Sequence, residues 1–121
     1  MIVVIDDDPS VREAVENLIA SRDLPVRSYS SAGQFLASGD LASVTCVVTD
    51  IQMPGMSGTE LQHYLCAIHC TAPVILMTAY FDESTQRAAM ISGVAAYLVK
   101  PFSSADLIRE IERALSSREA P

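Results

Sequence analysis

The hydrophobic positions of this chain fall in five short runs, separated by longer segments in which apolar residues recur every three or four positions. The short runs are rich in β-branched residues, a pattern typical of buried strands. The pattern predicts strands at Ile2 to Ile5, Val26 to Tyr29, Val44 to Thr49, Val74 to Met77 and Ala95 to Val99.

The segments between these runs carry signals for helix ends. Asp8 before Pro9 is an N-cap followed by proline at the first helical position, and Ser57 with Glu60 forms a capping-box pattern. Gly93 is a candidate left-handed position at the end of a helix. The predicted helices follow Asp8, cover Ala32 to Ser38 behind a Ser31 cap, follow Ser57, run from Asp82 to Gly93, and begin near Ser103 and Asp106.

Strands that alternate with helices in this way predict an open parallel sheet with helices on both faces, which is a doubly wound α/β fold. The first, third and fourth runs are almost wholly apolar, as expected of central strands that are covered on both faces. In such sheets, ligands bind beyond the carboxyl ends of the strands. The functional residues are therefore expected where the apolar runs end.

Composition excludes several classes of protein. The chain has 121 residues, of which 50% are hydrophobic, and it has no long uncharged apolar run, which argues against a disordered or membrane-spanning chain. The formal net charge of −7 makes nucleic acid a poor partner, because phosphate binding requires a basic surface. Lys100 is the sole lysine.

The cysteines bear on the cellular compartment. Cys46, Cys66 and Cys70 are an odd set without a disulfide framework, and residues 1 to 5 show neither a basic segment nor a cleavage site. We therefore expect free thiols and a cytoplasmic setting. The group formed by His63, Cys66, His69 and Cys70 suggests a zinc site at first, but one short helix cannot direct all four side chains at one tetrahedral ion.

Polar residues follow four of the five predicted strands. Asp6, Asp7 and Asp8 follow the first strand and Asp50 follows the third, while Thr78 and Lys100 follow the fourth and fifth. If the first and third strands are neighbours, their carboxylates converge, and such a group of like charges requires a cation. Oxygen ligands without nearby histidine or cysteine favour a hard divalent ion, and Mg²⁺ in particular.

Four stretches of the sequence carry a family resemblance: Val3 to Arg12, Val48 to Gly58, Thr78-Ala79 and Tyr97 to Phe102. Together they resemble the receiver (response-regulator) domains of two-component signalling. The second and fourth stretches are most similar to the FixJ-like subgroup, whose receivers precede a LuxR-type helix-turn-helix domain. The resemblance implies the flavodoxin/CheY-like sheet with strand order 2-1-3-4-5 and five helices.

The resemblance also implies roles for individual residues. Asp50 would accept a phosphoryl group from a phosphohistidine of a sensor histidine kinase. Asp7 and Asp50 would bind Mg²⁺ directly, Asp6 would act mainly through water, and the backbone carbonyl of Gln52 would complete the ligands. Lys100 would pair with Asp50 at rest and with a phosphoryl oxygen afterwards. Such a domain is not an enzyme in the usual sense, because it catalyses only its own phosphorylation and dephosphorylation.

A conformational switch follows from the same resemblance. Phosphorylation would draw Thr78 toward Asp50, and Tyr97 would turn inward into the vacated space, which remodels the surface of the fourth helix, fifth strand and fifth helix. The peptide bond before Pro101 would be cis. Gln52 and Tyr80 occupy positions that tune the phosphate lifetime in this family, and we expect the bulk of Tyr80 to slow hydrolysis.

The wider expectations concern domains and partners. We expect a receiver domain over residues 1–117 and the start of a linker or disordered tail over 118–121. A phosphorylation-dependent homodimer is expected, together with a C-terminal DNA-binding domain absent from this chain and a role in transcription control. The domain itself would contact neither nucleic acid nor membrane.

Three alternatives remain open at the sequence level. Asp6-x-Asp8-x-Ser10 is loosely similar to the first motif of haloacid-dehalogenase-type phosphatases, although that interpretation leaves Asp50 without a role. A receiver-like interaction module that no longer takes phosphate is the second alternative. The third is a flavodoxin-like flavin carrier, which the acidic residues after the first strand disfavour, because they would repel the cofactor phosphate.

Overall fold

The strands of the sheet lie close to the positions that the apolar runs predict. The computed structural model describes residues 1–119 of the chain. Its strands are β1 Ile2–Ile5, β2 Val26–Tyr29, β3 Cys46–Asp50, β4 Val74–Thr78 and β5 Ala96–Val99. All pairings are parallel and the order is β2-β1-β3-β4-β5, which confirms the predicted topology.

In the described residues, four α-helices connect the strands and a fifth follows the last strand: α1 Pro9–Ala20, α2 Ala32–Ala37, α3 Gly58–Ala67, α4 Glu83–Ile91 and α5 Ser104–Glu119. The last helix continues to Glu119, and the end of the expected tail, residues 120 and 121, lies outside the described residues. None of the helices in residues 1–119 combines the length and the apolar character that crossing a bilayer requires.

Most helix ends follow the predicted capping chemistry. The Asp8 side chain accepts hydrogen bonds from the backbone N–H groups of Ser10 and Val11, and the Ser57–Glu60 capping box is complete. Asp82 occupies the N-cap position of α4 but makes no capping bond to the backbone. Its carboxylate instead accepts hydrogen bonds from the hydroxyls of Ser84 and Thr85.

Four strand boundaries differ from the sequence prediction by one or two residues. β3 begins at Cys46 rather than Val44, after a short 3₁₀ turn over residues 41–43 that the apolar pattern does not reveal, and β5 begins at Ala96. At the edge that carries the site, β4 extends through Thr78. β3 extends through Asp50, which pairs with Met77 in β4. Asp50 is therefore held in the sheet itself rather than in the loop that follows.

The sheet divides the core into two layers. Val3 and Ile5 of β1 pack with residues of α2, α3 and α4, whereas Ile2 and Val4 pack with residues of α1 and α5. This alternation follows from the two-residue period of a strand. With both faces covered, the exposed chemistry of the sheet is confined to the ends of its strands.

Candidate functional site

Three carboxylates meet at the carboxyl edge of the sheet. Asp6 directly follows β1 and Asp50 ends β3, and these strands are neighbours with Ile5 paired to Thr49. One carboxylate oxygen from each of Asp6, Asp7 and Asp50 lies within 4.8 Å of the others. Asp6 is fully buried and Asp50 is 7% exposed, while Asp7 is open to solvent. The convergence that the strand ends predict is therefore present.

Lys100 supplies the positive charge of this cluster. Its Nζ donates a hydrogen bond to Asp6 Oδ2 at 3.0 Å and forms a longer ion pair with Asp50 Oδ1 at 3.6 Å. The ion pair with Asp50 is the one that the resemblance implies, and the hydrogen bond to Asp6 is a second, shorter contact. Since both carboxylates are buried, each requires a positive partner, and Lys100 lies within reach of both. The Lys100–Pro101 peptide bond is cis, as the resemblance implies.

The cluster has an excess of negative charge. Three carboxylates at −1 each and one ammonium at +1 leave a formal charge of −2. Asp50 Oδ1 is buried and accepts no hydrogen bond from the described residues. Burial raises the pKa of Asp50 above its ordinary value, the charge of Lys100 opposes this rise, and the charge of Asp6 adds to it. An oxygen donor set with this charge fits a divalent cation such as Mg²⁺.

The backbone around Asp6 is held by a residue to which the sequence interpretation assigned no role. The Arg12 guanidinium donates to the Asp6 carbonyl oxygen at 2.8 Å, and the Asp8 N–H donates to Asp6 Oδ1 at 2.9 Å. Arg12 lies one helical turn after the Asp8 cap, so its side chain returns toward the end of β1. The four-residue spacing between Asp8 and Arg12 is the sequence signal from which the contact of Arg12 with the site could have been predicted.

Thr78 lies on the other side of Asp50, at the end of β4. Its side chain is fully buried, and its hydroxyl accepts a hydrogen bond from the Tyr80 N–H at 3.0 Å. The hydroxyl oxygen also lies 2.9 Å from Gln52 Oε1 and 3.2 Å from the Tyr80 carbonyl oxygen, the two acceptors available to its proton. Sequence reasoning considered the backbone carbonyl of Gln52, whereas the structure reveals a contact of its side chain.

Tyr97 occupies β5 beside the Thr78 loop. Its side chain is half-buried, and its hydroxyl is buried without a hydrogen-bond partner among the described residues. The ring meets Phe81 edge to face, with centroids 6.4 Å apart. The turn of Tyr97 on phosphorylation stays a prediction. Tyr80 is 72% exposed at the mouth of the site.

Gly58 is a second residue that sequence reasoning left without a role in the site. It begins α3, and its N–H donates to the Ile51 carbonyl oxygen at 3.0 Å. A Cβ at this position would lie 2.4 Å from the carbonyl oxygen of Asp50, which is closer than real atoms approach. The backbone of α3 therefore supports the strand end that carries Asp50.

The histidines and cysteines in α3 and just after it take no part in this site. His63, Cys66 and His69 are exposed and Cys70 is half-buried. Within residues 1–119, the acidic trio is the one group of potential ligand residues whose donor atoms converge.

The chain matches one family model over most of its length. The family model of the response regulator receiver domain matches residues 2–112. The chain belongs to this family. Its members are signalling domains of two-component systems that act with sensor histidine kinases, so the assignment favours the receiver interpretation over the phosphatase and flavin-carrier alternatives.

Individual relatives agree with the family. This receiver domain is 41% identical over 112 residues to the transcriptional regulatory protein FixJ of Azorhizobium caulinodans, covering 93% of this chain and 53% of that protein. It is 34% identical over 115 residues to the transcriptional regulatory protein TdiR of Thauera aromatica, covering 95% and 51%. The chain thus spans about half the length of these curated relatives.

Solved structures show the same fold. The crystal structure of FixJ-N matches with a TM-score of 0.87 at 31% identity, over 99% of this chain and 96% of that one. The low-resolution structure of the response regulator StyR matches with a TM-score of 0.88 at 39% identity, over 96% of this chain and 59% of that one. The receiver domain is therefore similar in fold to FixJ-N over almost its whole length.

Proposed function

We propose that this receiver domain accepts a phosphoryl group on Asp50 from a sensor histidine kinase in a Mg²⁺-dependent reaction. The observation that carries the proposal is the state of Asp50 Oδ1, which is buried, lacks a hydrogen-bond donor and lies beside the Lys100 ammonium in the acidic trio. An oxygen in this state is available as a nucleophile. The domain catalyses only its own phosphorylation and dephosphorylation.

The phosphoryl transfer requires an oxygen nucleophile and charge neutralisation. An Asp50 carboxylate oxygen forms a bond to phosphorus while the bond from phosphorus to the imidazole nitrogen of the kinase breaks. The electron pair of that bond stays on the imidazole, which takes up a proton from solvent. Asp50 and Asp7 would hold Mg²⁺ directly, Asp6 mainly through water, and Gln52 through its backbone carbonyl. When bound, the ion neutralises charge between acceptor and phosphoryl oxygens.

Two further side chains complete the proposed site. Lys100 lies within ion-pair distance of Asp50, and its ammonium would contact a phosphoryl oxygen placed there. The buried hydroxyl of Thr78 would donate a hydrogen bond to another phosphoryl oxygen. Because Thr78 ends β4 and leads directly into the loop of Tyr80 and Phe81, its movement would change the surface next to α4 and would alter the packing of Tyr97.

The output surface is proposed from exposed apolar side chains near α4 and β5. Five of them stand out: Tyr80, Phe81, Met90, Ile91 and Val99. Apolar side chains grouped in this way favour a protein partner. The proposed partner is a second copy of the chain, joined through the surface of α4, β5 and α5 after phosphorylation.

The output itself is proposed to be transcription. The first relatives are transcriptional regulatory proteins about half of whose length this chain covers. We therefore infer that the receiver spans residues 1–117, that the linker begins near residue 118, and that a LuxR-type DNA-binding domain follows. DNA contact would belong to that domain, since the receiver carries a net charge of −7. The setting is proposed to be cytoplasmic.

Intact-mass measurement after incubation with acetyl phosphate and Mg²⁺ tests the phosphoacceptor. The wild type should gain one hydroxylamine-labile phosphoryl group, and Asp50→Asn should gain none. Asp23→Asn is the matched control, because it makes the same change in charge at a positive-φ position that asparagine tolerates. It should be modified like the wild type. Modification of Asp50→Asn at the wild-type rate would refute the proposal.

Light scattering before and after full phosphorylation tests the dimer. The phosphorylated wild type should double its mass, and Ile91→Asp, at an exposed position of α4, should remain a monomer while still accepting the phosphoryl group. An unchanged monomer for the fully phosphorylated wild type would contradict the proposed dimer without affecting the assignment of Asp50. Steady phosphate release that depends on Asp6 rather than Asp50 would instead favour the phosphatase alternative.

A further inference from the structure

The Gln52 side chain contacts Thr78 across the mouth of the site. The proposed role of the Gln52 backbone carbonyl as a metal ligand does not explain this contact. Its Oε1 lies 2.9 Å from the hydroxyl oxygen of Thr78, although 26 positions separate the two residues. Gln52 itself is exposed to solvent, whereas Thr78 is fully buried. The amide therefore lies between the buried hydroxyl and the water outside.

The hydrogen-bonding capacity of Thr78 makes this contact consequential. A threonine hydroxyl has one proton and two acceptor lone pairs. One lone pair accepts the Tyr80 N–H at 3.0 Å, and the proton is directed at Gln52 Oε1, the shorter of its two acceptor contacts. Thr78 therefore has no free proton to donate to a group on Asp50 while the bond to Gln52 persists.

We propose that the Gln52 amide is a latch that holds Thr78 in the resting orientation. Gln52 is thus a positioning residue, which acts on the switch through Thr78 rather than on the phosphoryl group. Release of the hydroxyl costs one neutral hydrogen bond, and the amide oxygen is then solvated because Gln52 is exposed. A bond of this kind corresponds to about a twofold to tenfold change in an equilibrium constant.

The latch would couple two functions in one residue. Under the proposed function, on which this inference rests, the backbone carbonyl of Gln52 is a metal ligand while its side chain restrains the switch. A change at the metal would then be transmitted along a single residue to Thr78. The structure shows the side-chain contact, and that contact is what the experiment addresses.

Affinity for beryllofluoride, a stable mimic of a phosphoryl group on a carboxylate, tests the latch. Gln52→Met removes the acceptor at similar side-chain length, and it should raise the affinity about twofold to tenfold in the presence of Mg²⁺. In a Thr78→Val background, where there is no hydroxyl to restrain, Gln52→Met should leave the affinity unchanged. In a Thr78→Ser background the gain should persist. Bound fractions are measured by NMR, since the chain contains no tryptophan.

A second measurement uses the resting protein alone. The Tyr80 amide donates to the Thr78 hydroxyl, so its NMR shift reports the hydroxyl orientation. In free Gln52→Met, this shift should move part of the way toward its value in the wild-type beryllofluoride complex. Gln34→Met is the matched control, because Gln34 also accepts a hydroxyl hydrogen bond, from Ser30, but far along the chain in α2. It should change neither the affinity nor the Tyr80 shift.

The outcomes separate the latch from the proposed function. A wild type that binds no beryllofluoride would refute the phosphoacceptor proposal, and the latch with it. A wild type that binds, with an unchanged or weaker affinity for Gln52→Met, would refute the latch alone. If Gln52→Met raised the beryllofluoride affinity equally in the wild type and in Thr78→Val, the latch would also be refuted, because Gln52 would then act by a route other than Thr78.

Discussion

The first residue of α3, Gly58, faces the main chain of Asp50 so closely that a Cβ on it would lie 2.4 Å from the Asp50 carbonyl oxygen. No flexible side chain is available to move aside, because the contact is with backbone. The separation of α3 from the phosphoacceptor strand is therefore set by the absence of a side chain at one position.

Gly58→Ala should destabilise the fold and displace Asp50. We expect a loss of about 1 to 3 kcal/mol in the free energy of unfolding, because relief of the clash requires a backbone shift. Gly33→Ala is the control, since a Cβ there would meet only Ser31 Oγ at 3.9 Å, and it should be neutral or slightly stabilising. Urea unfolding checks both, and equal stabilities for the two variants would contradict the close contact.

Asp50→Asn should stabilise the metal-free protein at neutral pH. Burial is the main cause that raises the pKa of Asp50, so the folded state retains this proton to higher pH than the unfolded chain does. The stability linked to this group is full below the unfolded pKa and is lost as the pH rises through the folded pKa. Asp50→Asn has no carboxyl group to ionise at this position, so it avoids this loss of stability at neutral pH.

The size of this gain follows from the charges. Asparagine removes the cost of burying a charge, which is the largest effect, together with the attraction to Lys100 and the weaker repulsions from Asp6 and Asp7, so a gain of about 1 kcal/mol is expected. Thermal unfolding in EDTA between pH 4 and pH 7.5, about the carboxylate range, should show the gain over wild type shrinking as the pH falls. A gain independent of pH, or one equally large in Asp23→Asn, would contradict the assignment.

Mg²⁺ should stabilise the wild type through the acidic trio. Binding to the folded state alone adds about 2.7 kcal/mol at a free concentration 100-fold above Kd. Asp7→Asn should lose most of this gain, and because Asp7 is exposed the substitution should not harm the fold itself. Melting temperatures with MgCl₂ and with NaCl of equal ionic strength provide the measurement. An undiminished Mg²⁺ effect in Asp7→Asn would exclude this carboxylate as a ligand.

Tyr97→Phe should raise stability, which is an unusual result for a substitution in a half-buried strand. The Tyr97 hydroxyl is buried and has no hydrogen-bond partner among residues 1–119, so its removal relieves a desolvation cost of about 1 kcal/mol. Tyr29→Phe is the matched comparison and should lose about 1 kcal/mol, because the Tyr29 hydroxyl donates to Asp40 Oδ2. Urea unfolding measures the free energy of unfolding of both variants. A change in the same direction for both would refute the prediction.

The hydrophobic pattern predicted a parallel sheet and the family resemblance implied its strand order, and together they predicted the convergence of the acidic residues for a simple reason. Asp6 and Asp50 stand at the ends of β1 and β3, and parallel neighbours bring such ends to one edge of the sheet. Lys100 forms the expected ion pair with Asp50, and its place after β5 was enough to predict that it reaches the site. Its shorter contact with Asp6 was not predicted, because that distance depends on the tertiary packing of the strand ends.

The sequence by itself determined which elements form and which strand ends carry chemistry, because these depend on local periodicity, capping residues and the parallel rule. Only the tertiary structure decided that Gln52 holds the hydroxyl of Thr78 and that the backbone of α3 rests against Asp50. One contact joins a loop to a strand, and the other joins a helix to a strand. Their distances are set by how the two core layers pack, and neither residue spacing nor composition encodes that packing locally.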